Sequence, residues 1–177
     1  MTRSRSFAAH VAPFIAALLI VIGDRISKIQ IQQRLGGFQA VPVIPGWLRI
    51  VHTENPGAAF GMLAEGNPAL RSIILIGVSA VVLIFVGAAL LNRGHALASL
   101  VTRFGLGLIF GGALGNLYDR VVSGTVTDFI EVYHGAWAFP AFNVADSSIT
   151  VGAILLLFDL ILPKRGALPQ DAAPVHK

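Results

Sequence analysis

Four long apolar stretches, separated by polar segments, dominate the chain. A helix that spans a bilayer needs about 20 mostly apolar residues, because it rises 1.5 Å per residue through a hydrocarbon core about 30 Å thick. Residues 72–91 contain no charged side chain at all, and the other three stretches contain few. The pattern predicts transmembrane helices at about residues 7–27, 71–91, 99–118 and 146–162.

The first stretch could also be a cleaved signal peptide, because Arg3 and Arg5 precede it. A signal peptide ends at a small-residue cleavage site, whereas Asp24 and Arg25 stand where that site would be expected. We therefore expect an uncleaved helix.

The segment between the first two predicted helices is rich in turn and strand signals. Its turn signals are Pro42, Pro45, Gly46, Pro56 and Gly57. Between them, residues 38–44 and 47–53 are short β-prone runs. We expect a β-rich outer loop over about residues 35–65. The predicted fold class is an all-α membrane protein, with four transmembrane helices and a small extracytoplasmic β-sheet module between helices 1 and 2.

Composition agrees with a membrane protein. The chain is 55% hydrophobic and 12% charged, whereas a soluble domain is about 25% charged. This excludes a disordered chain and disfavours a soluble globular domain. The 177-residue length predicts a single domain, which we place over residues 1–163. The residues after Pro163, 164–177, are expected to form a disordered cytoplasmic tail.

The basic residues predict the orientation. Seven of the thirteen lysines and arginines lie in the short segments 1–10, 92–103 and 163–177, and six are spread over 23–71 and 119–146. Because basic residues accumulate on the cytoplasmic side, both termini are predicted to be cytoplasmic. The basic character is thereby explained by topology, and no nucleic-acid partner is expected.

Glycines recur every four residues in the third apolar stretch, at Gly107, Gly111 and Gly115. On a helix this spacing creates one smooth face that lets a second helix approach closely. A phosphate-binding loop is the competing interpretation, but such a loop needs a preceding strand. Close helix packing is therefore the favoured role.

No metal or cofactor site is predicted. The chain has no cysteine, and its five histidines are scattered without a pair at helical spacing. No Gly-x-Ser-x-Gly motif is present for a serine nucleophile.

Two aspartates, Asp128 and Asp146, stand in apolar surroundings where the outer ends of helices 3 and 4 are expected to reach the membrane surface. A carboxylate at such depth costs free energy and suggests a functional role. Two carboxylates brought together share one proton, which is the chemistry of peptide hydrolysis by an activated water molecule.

Structural roles for the acidic residues stay open at this point. Asp146 could cap the fourth helix, Asp119 could form a local ion pair with Arg120, and Asp24 with Lys28 is a favourable helical pair. A small proton-coupled transporter and a structural membrane subunit are therefore alternatives to a protease.

Five segments, taken in order, resemble the bacterial lipoprotein signal peptidases (signal peptidase II), a family of aspartyl membrane proteases. The matching segments are Asp24 with Lys28, residues 55–60 (NPGAAF), residues 111–120 (GGALGNLYDR), residues 126–129 (VTDF) and residues 142–147 (FNVADS). The resemblance extends over about residues 12–162.

The resemblance implies an aspartic endopeptidase that removes the signal peptide from diacylglyceryl-modified prolipoproteins, cleaving just before the lipid-modified cysteine. It implies that Asp128 and Asp146 are catalytic. The residues that it implies line or support the substrate pocket are Asp24, Lys28, Asn55, Gly57, Asn116, Asp119, Arg120 and Asn143.

The expected partners are the prolipoprotein substrates and membrane lipid, with no cofactor and no metal. We expect a monomer in the bacterial inner membrane, with its active site near the extracytoplasmic face. The alternative is a four-helix proton-coupled transporter, which would place its essential acid near the bilayer midplane.

Overall fold

The structure is a computed structural model that describes residues 2–37, 39–57, 67–92 and 99–162, with side chains from residue 11 onward. These ranges contain four helices and four strands. In chain order they are α1 (Thr2–Arg34), β1 (Val41–Ile44), β2 (Leu48–Asn55), α2 (Pro68–Leu91), α3 (Leu100–Val122), β3 (Val126–His134), β4 (Trp137–Ala138) and α4 (Val144–Ile161).

The helices α2, α3 and α4 are long and apolar enough to cross a membrane. They contain three of the four predicted spans. The fourth predicted span, at about residues 7–27, lies within α1, and its crossing of the membrane stays a prediction. The predicted tail at residues 164–177 and the end of the predicted β-rich loop lie outside the described residues.

Helix α3 is the centre of the bundle and packs against α1, α2 and α4. A Cβ atom on Gly107 would lie 2.5 Å from the carbonyl oxygen of Pro13, and one on Gly111 would lie 2.7 Å from that of Ala17. The backbones of α1 and α3 therefore touch at these two glycines, which have no side chain to keep the helices apart. This confirms the predicted packing face.

A second glycine face of α3, which the sequence pattern did not reveal, packs against α4. A Cβ atom on Gly112 would overlap the carbonyl oxygen of Ala145, and one on Gly152 would lie 2.6 Å from the carbonyl oxygen of Gly105. Glycine on both helices therefore lets α3 and α4 approach closely between Ala145 and Gly152 of α4.

The sheet is larger than predicted. Its antiparallel order is β1-β2-β3-β4, so only β1 and β2 come from the expected loop between helices 1 and 2. Strands β3 and β4 come from the connection between α3 and α4. Strand β3 is rich in β-branched residues, and burial of its first four residues holds it against the bundle. The pairing of Thr53 with Asp128 joins the two connections.

We predict that Gly111→Ala destabilises the protein, because the added methyl group meets the α1 backbone at Ala17. Overpacking of this kind costs about 1–3 kcal/mol, which a lowered thermal midpoint of the detergent-solubilised protein would report. The matched control is Gly77→Ala on α2, where nothing lies within 4 Å and alanine favours the helix. A Gly111→Ala variant as stable as the Gly77→Ala variant would contradict the packing role.

Candidate active site

The fold brings Asp128 and Asp146 to the same cavity. Asp128 is the third residue of β3, and Asp146 lies in the first turn of α4. Both line a cavity of about 1070 Å³ between the sheet and helices α2, α3 and α4. The two aspartates that the sequence singled out therefore line one cavity, and their catalytic role stays a prediction.

Asn143 connects the two aspartates directly. Its side-chain Nδ2 donates to Asp128 Oδ1 at 2.7 Å, and its backbone N–H donates to Asp146 Oδ2 at 3.3 Å. Its Oδ1 accepts from the backbone N–H of Asp146 at 2.8 Å. One fully buried residue thus sets the position of both carboxyl groups.

Asp146 also stabilises the start of α4, as the alternative interpretation proposed. Asn143 is the N-cap residue, and Asp146 completes a reciprocal capping box with it. Capping uses one carboxyl oxygen of Asp146. The other accepts a hydrogen bond from Asn116 Nδ2 at 2.7 Å. Asp146 therefore caps the helix and also lines the cavity.

Asn55 holds the second oxygen of Asp128. Its Nδ2 donates to Asp128 Oδ2 at 3.0 Å, while its Oδ1 accepts from the backbone N–H of Gly57 at 2.9 Å. The turn that the Asn-Pro-Gly sequence predicted at residues 55–57 therefore orients the asparagine toward the aspartate.

Arg120 faces the cavity and does not form the local ion pair with Asp119 that was one interpretation. Its guanidinium interacts electrostatically with Asp146 and Asp128, and it donates to the carbonyl oxygen of Gly57 at 3.4 Å. Successive residues on a helix point about 100° apart, which explains why Arg120 and Asp119 have different partners.

A buried ion cluster lies behind the cavity. The Nζ atom of Lys28, which is 0% exposed, lies 2.7 Å from Asp24 Oδ2 and 2.6 Å from Asp119 Oδ2. This confirms the predicted pairing of Asp24 with Lys28. Asp24 Oδ1 also accepts from the backbone N–H of Ala145 at 2.9 Å, and Arg25 pairs with Asp119 at 3.3 Å. The cluster ties α1, α3 and α4 together.

The environment of Asp128 favours its protonated form. Burial raises the pKa of Asp128 from 3.8 to about 6, and the negative charge of Asp146 acts in the same direction. The hydrogen bonds from Asn55 and Asn143 oppose this rise in pKa. A carboxyl group of this kind can hold a proton near neutral pH and donate it.

The sequence did not identify the α2 side of the cavity. Val78, Ser79 and Val82 of α2 line it. Their only signal was the uniform apolar run, which does not reveal which face of a helix borders a cavity.

In the described ranges no three histidine or acidic side chains are grouped as a metal site would require, and the absence of a metal stays a prediction.

Comparison with known proteins gives concordant results. The family model described as Signal peptidase (SPase) II matches residues 16–162. The lipoprotein signal peptidase of Solibacter usitatus is 41% identical over 153 residues, which cover 86% of this chain and 92% of the relative. That of Pseudomonas syringae pv. tomato is 41% identical over 168 residues, which cover 93% of this chain and 94% of the relative.

Solved structures agree. A bacterial membrane enzyme solved at 2.3 Å has a TM-score of 0.74 and 34% identity, covering 84% of this chain and 87% of that chain. Another, solved at 1.9 Å, has a TM-score of 0.74 and 31% identity, covering 85% of this chain and 92% of that chain. Because the family model and these relatives span most of its length, the chain belongs to the signal peptidase II family.

Proposed function

We propose that this protein is a membrane-embedded aspartic endopeptidase. It removes the signal peptide from diacylglyceryl-modified prolipoproteins by cleaving just before the lipid-modified cysteine. The observation that carries the proposal is the bridge that Asn143 forms between Asp128 and Asp146 on one cavity wall. Membership in the signal peptidase II family supports the choice of substrate.

Asp146 is suited to be the base that activates water. It lies in the first turn of α4, where the positive end of the helix dipole favours a carboxylate. It accepts hydrogen bonds from Asn116 and Asn143, and the guanidinium of Arg120 attracts it. These contacts orient the Asp146 carboxyl group at the cavity that it lines.

Asp128 is suited to be the acid. In its protonated form it donates a hydrogen bond to the carbonyl oxygen of the scissile peptide, while Asp146 takes a proton from the attacking water. The water oxygen bonds to the carbonyl carbon, and the carbonyl oxygen receives the proton of Asp128. In the second step Asp146 gives its proton to the leaving nitrogen, the C–N bond breaks, and Asp128 recovers its proton.

The cavity has two parts that fit such a substrate. The aspartates, Asn55 and Arg120 form a polar part that can hold the peptide backbone, with Arg120 oriented toward acceptor groups. Val78 and Val82 of α2 contribute to an apolar part between the helices. Acyl chains attached to the cysteine can remain in this apolar environment while the peptide bond meets the aspartates.

The same arrangement supports a site near the extracytoplasmic face of the bacterial inner membrane. The aspartates lie near the end of α3 and the start of α4. The predicted cytoplasmic termini are at the start of α1 and the end of α4, which are the other ends of the bundle in the predicted topology. One chain supplies every proposed catalytic group, which is consistent with a monomer. The transporter alternative is not favoured, because Asp146 lies at a helix end and Asp128 on a strand.

We predict that Asp128→Asn and Asp146→Asn each reduce cleavage of a diacylglyceryl-modified precursor by at least about a hundredfold, because each removes a proton-transfer group. A gel-shift assay with purified protein measures this. Asp159→Asn is the matched control, because Asp159 lies about 20 Å along α4 from Asp146 and accepts from Ser99 and Thr102. Near-normal cleavage by either active-site variant, beside an active Asp159→Asn protein, would refute the aspartic mechanism.

We also predict that the lipid anchors the substrate. Because each methylene group buried in an apolar environment contributes about 0.8 kcal/mol, unmodified precursor should show kcat/KM at least about tenfold lower than diacylglyceryl-modified precursor. Parallel time courses on the same precursor, before and after modification, provide the comparison. Equal kcat/KM values would mean that the apolar part of the cavity does not bind the acyl chains.

The raised pKa of Asp128 predicts a pH-dependent stability. The carboxyl group loses its proton near pH 3.8 when unfolded and near pH 6 when folded. The wild-type protein should therefore lose stability relative to Asp128→Asn as the pH rises through this window, by about 3 kcal/mol in total. Thermal midpoints of both proteins at pH 4 and pH 7.5 test this, and a difference that does not change with pH would contradict it.

A further inference from the structure

Lys28 is the most completely enclosed charged residue near the cavity. Its side chain is 0% exposed, and its ammonium group is bound by Asp24, Asp119 and Asn116. The two carboxylates balance the positive charge, and the amide oxygen accepts a hydrogen bond. The peptide cleavage proposed above gives this lysine no proton to transfer, so its role has to lie in the contacts that it makes.

The contact with Asn116 determines how that amide is oriented. An ammonium group can only donate hydrogen bonds, so the amide atom that faces it must be the oxygen. Lys28 Nζ donates to Asn116 Oδ1 at 3.0 Å, and Asn143 Nδ2 donates to the same oxygen at 3.2 Å. The amide nitrogen is thereby directed to Asp146, whose Oδ1 accepts from it at 2.7 Å.

The opposite orientation of the Asn116 amide would lose both hydrogen bonds, the one from Lys28 and the one to Asp146. It would place an NH₂ group against the ammonium of Lys28 and a carbonyl oxygen against the carboxylate of Asp146. Asn143 alone is a weaker constraint, because its Nδ2 also serves Asp128 and the carbonyl oxygen of Thr127. The buried, charge-assisted bond from Lys28 is the stronger determinant.

We propose that Lys28 is a positioning residue for peptide cleavage. It acts through Asn116, whose amide it holds so that an N–H points at Asp146 and fixes the carboxylate that activates water. Lys28 lies on α1 and Asp146 on α4, so the lysine connects the helix packing to the geometry of the reacting group. The inference rests on the proposed function and adds a specific residue contact to it.

A charge-balanced variant tests the contact without leaving a buried charge unpaired. Lys28→Met combined with Asp24→Asn removes one positive and one negative charge. The new asparagine can still accept from the Ala145 N–H, and Arg25 still pairs with Asp119. Arg25→Gln is the control, because it removes a cation of the same cluster, and Arg25 bonds to Asp119 and stacks on Tyr118.

The expected result is a loss in kcat of about tenfold or more for the charge-balanced variant, the size of one lost hydrogen bond to a charged group. KM should stay within about twofold, because substrate contacts are retained. Arg25→Gln should keep kcat within about twofold. In an Asn116→Ala background the charge-balanced change should cost no further kcat, because the residue through which Lys28 acts is gone.

Two results would overturn the inference. One is an equal loss of kcat in the wild-type and Asn116→Ala backgrounds, which would mean that Lys28 acts through general stability. The other is unchanged kcat in the charge-balanced variant. A failure of the proposed function itself is distinguishable, because wild-type protein would then not cleave the modified precursor.

An NMR readout is independent of activity. The side-chain amide of Asn116, assigned by its absence in Asn116→Ala, should exchange its hydrogens faster in the charge-balanced variant than in wild type. Equal exchange rates in the two proteins would overturn the inference even if neither protein cleaves a precursor.

Discussion

Burial of the Lys28 ammonium group constrains how the helices of this protein pack. Taking a charge out of water costs several kcal/mol unless partners surround it, and Lys28 has two carboxylates and an amide oxygen around it. The partners belong to α1 and α3, and Asp24 continues the contact to the first turn of α4 through Ala145. The glycine contacts of α3 with α1 and α4 are what allow the helices to come close enough for these bonds.

The polar network that begins at the lysine ends at the two aspartates. Asparagine is well suited to the positions between them, because each amide both accepts and donates. Asn116 accepts from Lys28 and donates to Asp146, while Asn143 caps α4 and donates to Asp128. The two carboxyl groups consequently have different environments, one on a helix N-terminus and one buried on a strand. Different environments are what separate an acid from a base when both are aspartates.

The sequence predicted the helices and singled out the two aspartates that line one cavity, because charge-free runs and rare intramembrane acids are strong signals. It missed β3, although Gly124 and Gly135 bound a run rich in β-branched residues, because the pairing of β3 with β2 depends on residues far apart in the chain. The partner of Asp119 was open for the same reason, because Lys28 and Arg25 reach it only after α1 has packed on α3. Local sequence therefore identified the chemical groups, and tertiary packing determined their partners.

In the proposed mechanism, two aspartates hydrolyse one peptide bond, just before a lipid-modified cysteine, without a metal ion. Mass spectrometry of a purified diacylglyceryl-modified precursor, incubated with the purified protein in the presence of EDTA, tests this most directly. The expected product has a single new N-terminus, at the modified cysteine. Cleavage at another bond, or cleavage that requires added metal ion, would contradict it.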